Sequence, residues 1–295
     1  MTISRFIDIQ EGIKRAICTI LDKMMAKSFS DYVLLLARAD YHEWLDRPEM
    51  DVTPYILEDG RYRMIDSTRQ RFLDMYFEKY VDKLISNKAS EVNEQEYDLN
   101  IQMMIYSHIW ESALFLKQLE RIALVLNGER FNWNRRFEGN SIKSQLIEEC
   151  IQKKLEYVDK GMWVLIKSCY SRELRNDFAH STYQIQMGTR KIVSHNNGLF
   201  QGKPVGFDEW GEMFVKSVML SSHLNNITNE RKNSFIKDYG DGPILIKLPM
   251  KGKKKKCYEV FIHPVYDDVD PKRVKFYFMT QVELDLYRRN HGNTE

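Results

Sequence analysis

The chain of 295 residues is 43% hydrophobic and 29% charged, holds 14 Gly and 7 Pro, and has a formal net charge of +2. That balance excludes a disordered or collagenous chain and fits a globular protein long enough for one or two cores. So small a net charge selects no partner by itself. The opening MTISRFIDIQEGIKR scatters charges where a leader would be apolar, and no later stretch reaches the length of a bilayer span. A cytoplasmic protein with no membrane partner is therefore expected. Cys18, Cys150, Cys169 and Cys257 are far apart and form no CxxC, so they read as structural and reduced, and no metal site or other cofactor is expected.

Phe6, Ile9, Ile13, Ile17, Leu21 and Met24 recur every three or four residues, which predicts a helix over 5–27. A second helix over about 29–46 has Ser28 or Ser30 to cap it, and Pro48 and Pro54 then mark a connector. The next helix begins after Asp66 or Ser67 and runs through Phe72, Tyr76, Tyr80 and Leu84, before a polar boundary at 86–96. Ile101, Ile105, Ile109, Ala113, Leu116, Leu119, Ala123 and Leu126 predict one long helix over 97–126, stopped by Asn127-Gly128. Ser141 caps a helix running to Val158, Gly161 punctuates the chain, and a further helix opens at Trp163. Residues 182–194 alternate around Met187-Gly188 and read as a hairpin, and a helical repeat returns over about 208–232 with Asp208 as its cap. PILIKLP, CYEVFIHP and RVKFYFM are three β-prone runs too closely spaced for parallel crossovers, so they predict a small antiparallel sheet. Neither GxxxxGK nor GxGxxG occurs to favour a nucleotide-binding α/β fold. Composition divides the chain into a helical region at 1–90, a helical domain at 91–235 and a β-rich extension at 236–295.

The most informative segment is Arg175-Asn176-Asp177-Phe178-Ala179-His180, late in the helical region. A histidine transfers protons near neutral pH, and an arginine offers phosphoryl oxygens several hydrogen bonds without deprotonating. On a regular helix Asn176 and His180 share a face, whereas Arg175 and His180 stand about 140° apart, so one helix does not assemble the pair unaided. Each residue also has an ordinary structural reading. His180 could cap a helix end, Arg175 could pair with Glu173 or a distant acid, and Asn176 could bond to backbone. Arg172 offers a further phosphate contact or a solvated helix residue. Nine Lys/Arg between Arg231 and Lys256 face only Asp238 and Asp241, and Lys251, Lys253, Lys254, Lys255 and Lys256 form the densest run. Such a run fits either RNA capture or a solvated turn guarding a sheet edge.

The RNDFAH segment in its helical setting resembles the Rx4-6H signature of the HEPN (higher eukaryotes and prokaryotes nucleotide-binding) domain family, over roughly residues 97–231. The resemblance implies a mostly α-helical HEPN-like bundle, here with additional N-terminal helices and a small C-terminal antiparallel β-rich element. It further implies a metal-independent endoribonuclease of toxin, stress or antiviral defence settings, with Arg175 and His180 as catalytic pair and Asn176 in support. RNA, a second copy of the chain in a homodimer, and a regulatory protein or antitoxin are the implied partners. Some family members carry a modifiable Tyr two residues after the motif His, whereas Tyr183 stands three after His180. A catalytically inactive RNA-binding or protein-interaction module is the competing reading.

Overall fold

The computed structural model describes residues 1–42, 45, 53–58, 71–72, 74–76, 78–79, 81–82, 96–129, 140–196, 199–249 and 257–291. The connector at Pro48, most of the 86–96 boundary and the lysines at 251 and 253–256 lie outside the described residues.

The N-terminal stripe folds as expected into α1 (Ile3–Lys27), burying Ile9, Ile13, Ile17, Leu21 and Met24. Ser28 then caps α2 (Phe29–Leu36) by accepting the Asp31 N–H, which satisfies an amide that has no partner inside the helix. The expected helix over 97–126 is instead two, α3 (Glu96–Ile109) and α4 (Ala113–Leu126). They part at Trp110-Glu111-Ser112, where the Ser112 hydroxyl accepts the Phe115 N–H and starts a new helix within an unbroken apolar rhythm. Gly128, at φ +78°, follows the end of α4 in the left-handed conformation that glycine adopts without strain.

From residue 140 a continuous helical run comprises α5 (Asn140–Gln145), a π-helical stretch (Leu146–Gln152) and α6 (Lys153–Val158). The chain breaks at Asp159, not at Gly161, because the Asp159 carboxylate accepts the Met162 N–H and caps α7 (Lys160–Cys169). After Tyr170 comes α8 (Arg172–His180), which carries the RNDFAH segment. The last long helix, α9 (Phe207–Tyr239), continues beyond the expected end at Lys232 until Gly240, at φ +86°, stops it. A further helix, α10 (Gln281–His291), opens with a reciprocal capping box that periodicity passed over. The Glu283 N–H bonds the Thr280 hydroxyl, and the Glu283 carboxylate accepts the Thr280 N–H.

The 182–194 hairpin is present as β3 (Tyr183–Gln186) and β4 (Lys191–Asn196), and a strand that alternation did not foreshadow, β5 (Leu199–Gly206), completes an antiparallel sheet. Its register shifts between Ile192 and Ser194, opposite the Gly202-Lys203-Pro204 stretch of an edge strand. Asp40–Tyr41 (β1) and Tyr55–Ile56 (β2) form a short antiparallel pair. The three C-terminal runs form the expected antiparallel sheet, with β7 (Cys257–Tyr266) between β6 (Ile244–Pro249) and β8 (Val274–Phe278). The chain is thus mostly helical with a small C-terminal antiparallel sheet. None of the helices among the described residues is long and apolar enough to cross a membrane.

Contacts divide the chain into two compact units, one of Met1–Ile20, Arg61–Ala123 and Phe137–Asn225, the other of Leu21–Gly60, Leu124–Arg136 and Asn226–Glu295. The units interleave in sequence because the division falls inside α1, α4 and α9. In the second unit Glu58 does three things at once. Its N–H donates to Ala37, one carboxylate oxygen pairs with the nearly buried Lys232, and the other accepts the Phe276 N–H. Asn233 takes the neighbouring Val274 N–H in the same way, so two outward amides of edge strand β8 are occupied by side chains.

In the first unit Arg5 grips the Glu212 carboxylate with two hydrogen bonds of 2.8 and 2.9 Å, and Lys216 adds a third contact at 3.1 Å. The Arg5 hydrogen bond, reinforced by Lys216, holds the Glu212 carboxyl down to about 2 from its ordinary 4.5. A depressed folded value means that the stabilisation is complete above the ordinary value and disappears as pH falls through about 2. Glu212→Gln therefore lowers the urea midpoint at neutral pH, and the gap to wild type closes as pH approaches 2. A gap that does not change with pH would rule out this carboxylate as its source. Trp210, fully buried with its indole N–H on Gln102, supports the same unit, so Trp210→Ala should cost about 3–5 kcal/mol in urea unfolding.

Candidate active site

Ser171 starts α8 by two means. Its hydroxyl accepts the Leu174 N–H, and its own N–H donates to the Tyr106 hydroxyl of α3 at 2.8 Å. Burial pushes the Tyr106 hydroxyl upward from its usual range, so it stays protonated. The other end stops immediately after His180, where Ser181 turns left-handed at φ 55° and the Thr182 N–H returns to the Asp177 carbonyl. Along the inner face, Leu174 is buried, and the Phe178 ring meets Tyr106, Trp210 and Tyr183 edge-on at 6.0, 5.1 and 5.2 Å. Edge-to-face rings of this kind add orientation to the area they bury. With both ends capped and one face packed, the rotation of α8 about its axis is set.

That rotation sends the two candidate catalytic side chains in different directions. Arg175 points inward and is only 3% exposed, whereas His180 lies on the exposed side and has no hydrogen-bond partner among the described residues. Asn176 is half-buried, between these two directions. A buried guanidinium is tolerated only when paired, and Arg175 is paired twice. Nη2 donates to Glu111 Oε1 at 2.7 Å and Nη1 donates to Asn176 Oδ1 at 3.0 Å. The second Glu111 oxygen lies 3.7 Å from the Lys143 ammonium of α5. Glu111 thus stands between two cations, in the turn that separates α3 from α4.

Among the acids open to Arg175, the partner is Glu111, 64 residues away, and not Glu173. Periodicity did not single out Glu111. The available signal was Glu-Ser ahead of a renewed apolar run, the pattern of a helix start with an acid beside it. Arg172 is exposed and pairs with the half-exposed Glu148 of the π-helical stretch at 3.2 Å, a contact that salt readily screens. Tyr183 packs against Phe178 and donates its hydroxyl to Asn100 at 2.6 Å; burial, then the charge of Glu96, raises its pKa. Cys169 is fully buried, and burial pushes its thiol up to about 12, which leaves no thiolate for nucleophilic chemistry at neutral pH. Lys251, Lys253, Lys254, Lys255 and Lys256, the candidate RNA-capture residues, lie outside the described residues.

The outer face of α8 therefore combines an accessible imidazole with a half-buried amide, over an inner layer that holds a paired positive charge. No protein-family model matches the sequence, and no curated protein and no solved structure matches it either.

Proposed function

We propose that the chain is a metal-independent endoribonuclease that uses the RNA's own 2′-hydroxyl as nucleophile. The observation that carries this reading is the RNDFAH segment on a helix capped at both ends, with His180 accessible and Arg175 fixed in the layer beneath. In such a reaction the 2′-oxygen forms a bond to phosphorus as the bond to the 5′-oxygen breaks. A proton leaves the 2′-hydroxyl and one reaches the departing 5′-oxygen, which leaves a 2′,3′-cyclic phosphate and a 5′-hydroxyl. His180 is the proton-transfer group, and Arg175 is the fixed cation of the site. DNA lacks the attacking hydroxyl and is not a substrate.

Two proton transfers are needed, and each chain presents one imidazole on this face of α8. A two-fold homodimer with residues 171–181 of each copy approaching the other supplies a second, since an isologous interface brings one patch against its copy. The burial of Arg175, with both terminal nitrogens engaged, favours a second reading, a catalytically inactive RNA-binding or protein-interaction module.

Purified protein treated with chelator is expected to cleave unstructured RNA, with those end groups and no cleavage of a matched DNA. His180→Ala should lower the rate by about 100-fold or more, and Arg175→Ala should also slow it, in variants that keep helicity. Wild-type cleavage by folded His180→Ala would sink the mechanism, and RNA binding without products would favour the inactive module. Light scattering under assay conditions should report a dimer, and a fully active monomer would exclude the composite site.

A further inference from the structure

An arginine side chain only donates hydrogen bonds, so the Asn176 atom bonded to Arg175 Nη1 at 3.0 Å is necessarily the amide oxygen. That contact settles which way the amide faces. Its NH2 group is left over, has no partner among the described residues and is not among the buried polar atoms lacking one. Asn176 itself is half-buried, so the NH2 belongs to a side chain that solvent partly reaches. Four residues on, His180 shares this outward face, about 6 Å away between Cβ atoms as for any such helical pair. Phosphate oxygens accept hydrogen bonds, and this NH2 can donate one on the His180 face.

Arg175 is placed differently. At 3% exposure, with a charge-assisted bond of 2.7 Å to Glu111, it would have to abandon its counter-charge to reach a bound phosphate. Glu111 is itself restrained, because its other oxygen faces Lys143 at 3.7 Å. We propose that Glu111, Arg175 and Asn176 form a relay that turns the Asn176 NH2 group toward the His180 face, so that Asn176 donates to the substrate phosphate and Glu111 and Arg175 are positioning residues. This rests on the ribonuclease reading and deepens it. The relay starts in the turn between α3 and α4, crosses to α8 through the half-buried ion pair and ends on half-buried Asn176, one helical turn before His180. A donor held by neighbours needs no reorganisation as negative charge grows on the phosphoryl oxygens, which is how fixed donors lower a barrier.

The test compares steady-state cleavage of an RNA oligonucleotide by wild type, His180→Ala, Asn176→Asp, Asn176→Ala and Glu111→Gln, with unfolding curves for each. Asn176→Asp keeps the shape and an acceptor for Arg175 but removes the donor, and Asn176→Ala removes the donor without adding charge. Both should lose about 100-fold in kcat with little change in KM, as when one transition-state donor is deleted. Glu111→Gln should lower kcat by about 10-fold, a smaller loss because the donor remains but is less firmly held, and Glu111→Asp should recover part of it. Should Glu111→Gln fail to fold, the two Asn176 variants still decide the matter. Wild-type kcat in folded Asn176→Ala, or a rise in KM alone, overturns the relay while His180-dependent cleavage keeps the ribonuclease reading intact. Absence of His180-dependent cleavage in the wild type overturns both together.

Discussion

A guanidinium held at 3% exposure is the constraint on which the candidate site depends. Removing a charge from water costs several kcal/mol, and an unpaired Arg175 would not stay where α8 puts it. Its pairing therefore dictates its neighbours. Glu111 has to sit where a carboxylate can face inward, which the break between α3 and α4 provides, and the Asn176 amide has to turn its oxygen toward Arg175. The same pair joins the α3–α4 turn to α8 across 64 residues of sequence.

Charge pairing alone would leave α8 free to rock, and apolar packing removes that freedom. Phe178 meets three other rings edge-on, and two buried indoles find hydrogen-bond acceptors, Trp210 in Gln102 and Trp110 in Ser217. A ring whose N–H is satisfied and whose edges are packed has few alternative rotamers, so the helix it supports inherits a single orientation. The consequence is a division of α8 into an inner face that carries stability and an outer face that carries His180. The second unit uses the same device on its own scale. There Glu58 is the connector, joining Lys232 of α9 to an outward amide of β8 and occupying a sheet edge that would otherwise invite another strand.

What the sequence determined by itself is the part governed by local rules. Apolar spacing placed α1, a serine at 28 or 30 marked the start of α2, Asn127-Gly128 ended α4, alternation marked β3 and β4, and β-prone runs marked the C-terminal strands. Helix geometry also separated Arg175 from His180 by about 140° and put Asn176 on the His180 face. Local signals that compete with a strong rhythm were harder to read. Ser112 divides an unbroken apolar repeat, Asp159 and not Gly161 breaks the chain before α7, and Thr280 with Glu283 opens α10 where no long apolar stripe calls for one. Only the tertiary structure decided which side of α8 is buried, since a helix whose two sides carry Phe178 with Arg175 and Asn176 with His180 does not reveal which acid the arginine will find. Glu111 answers from 64 residues away, and the physical reason is general: a buried charge selects its partner by proximity in space, which sequence separation does not encode.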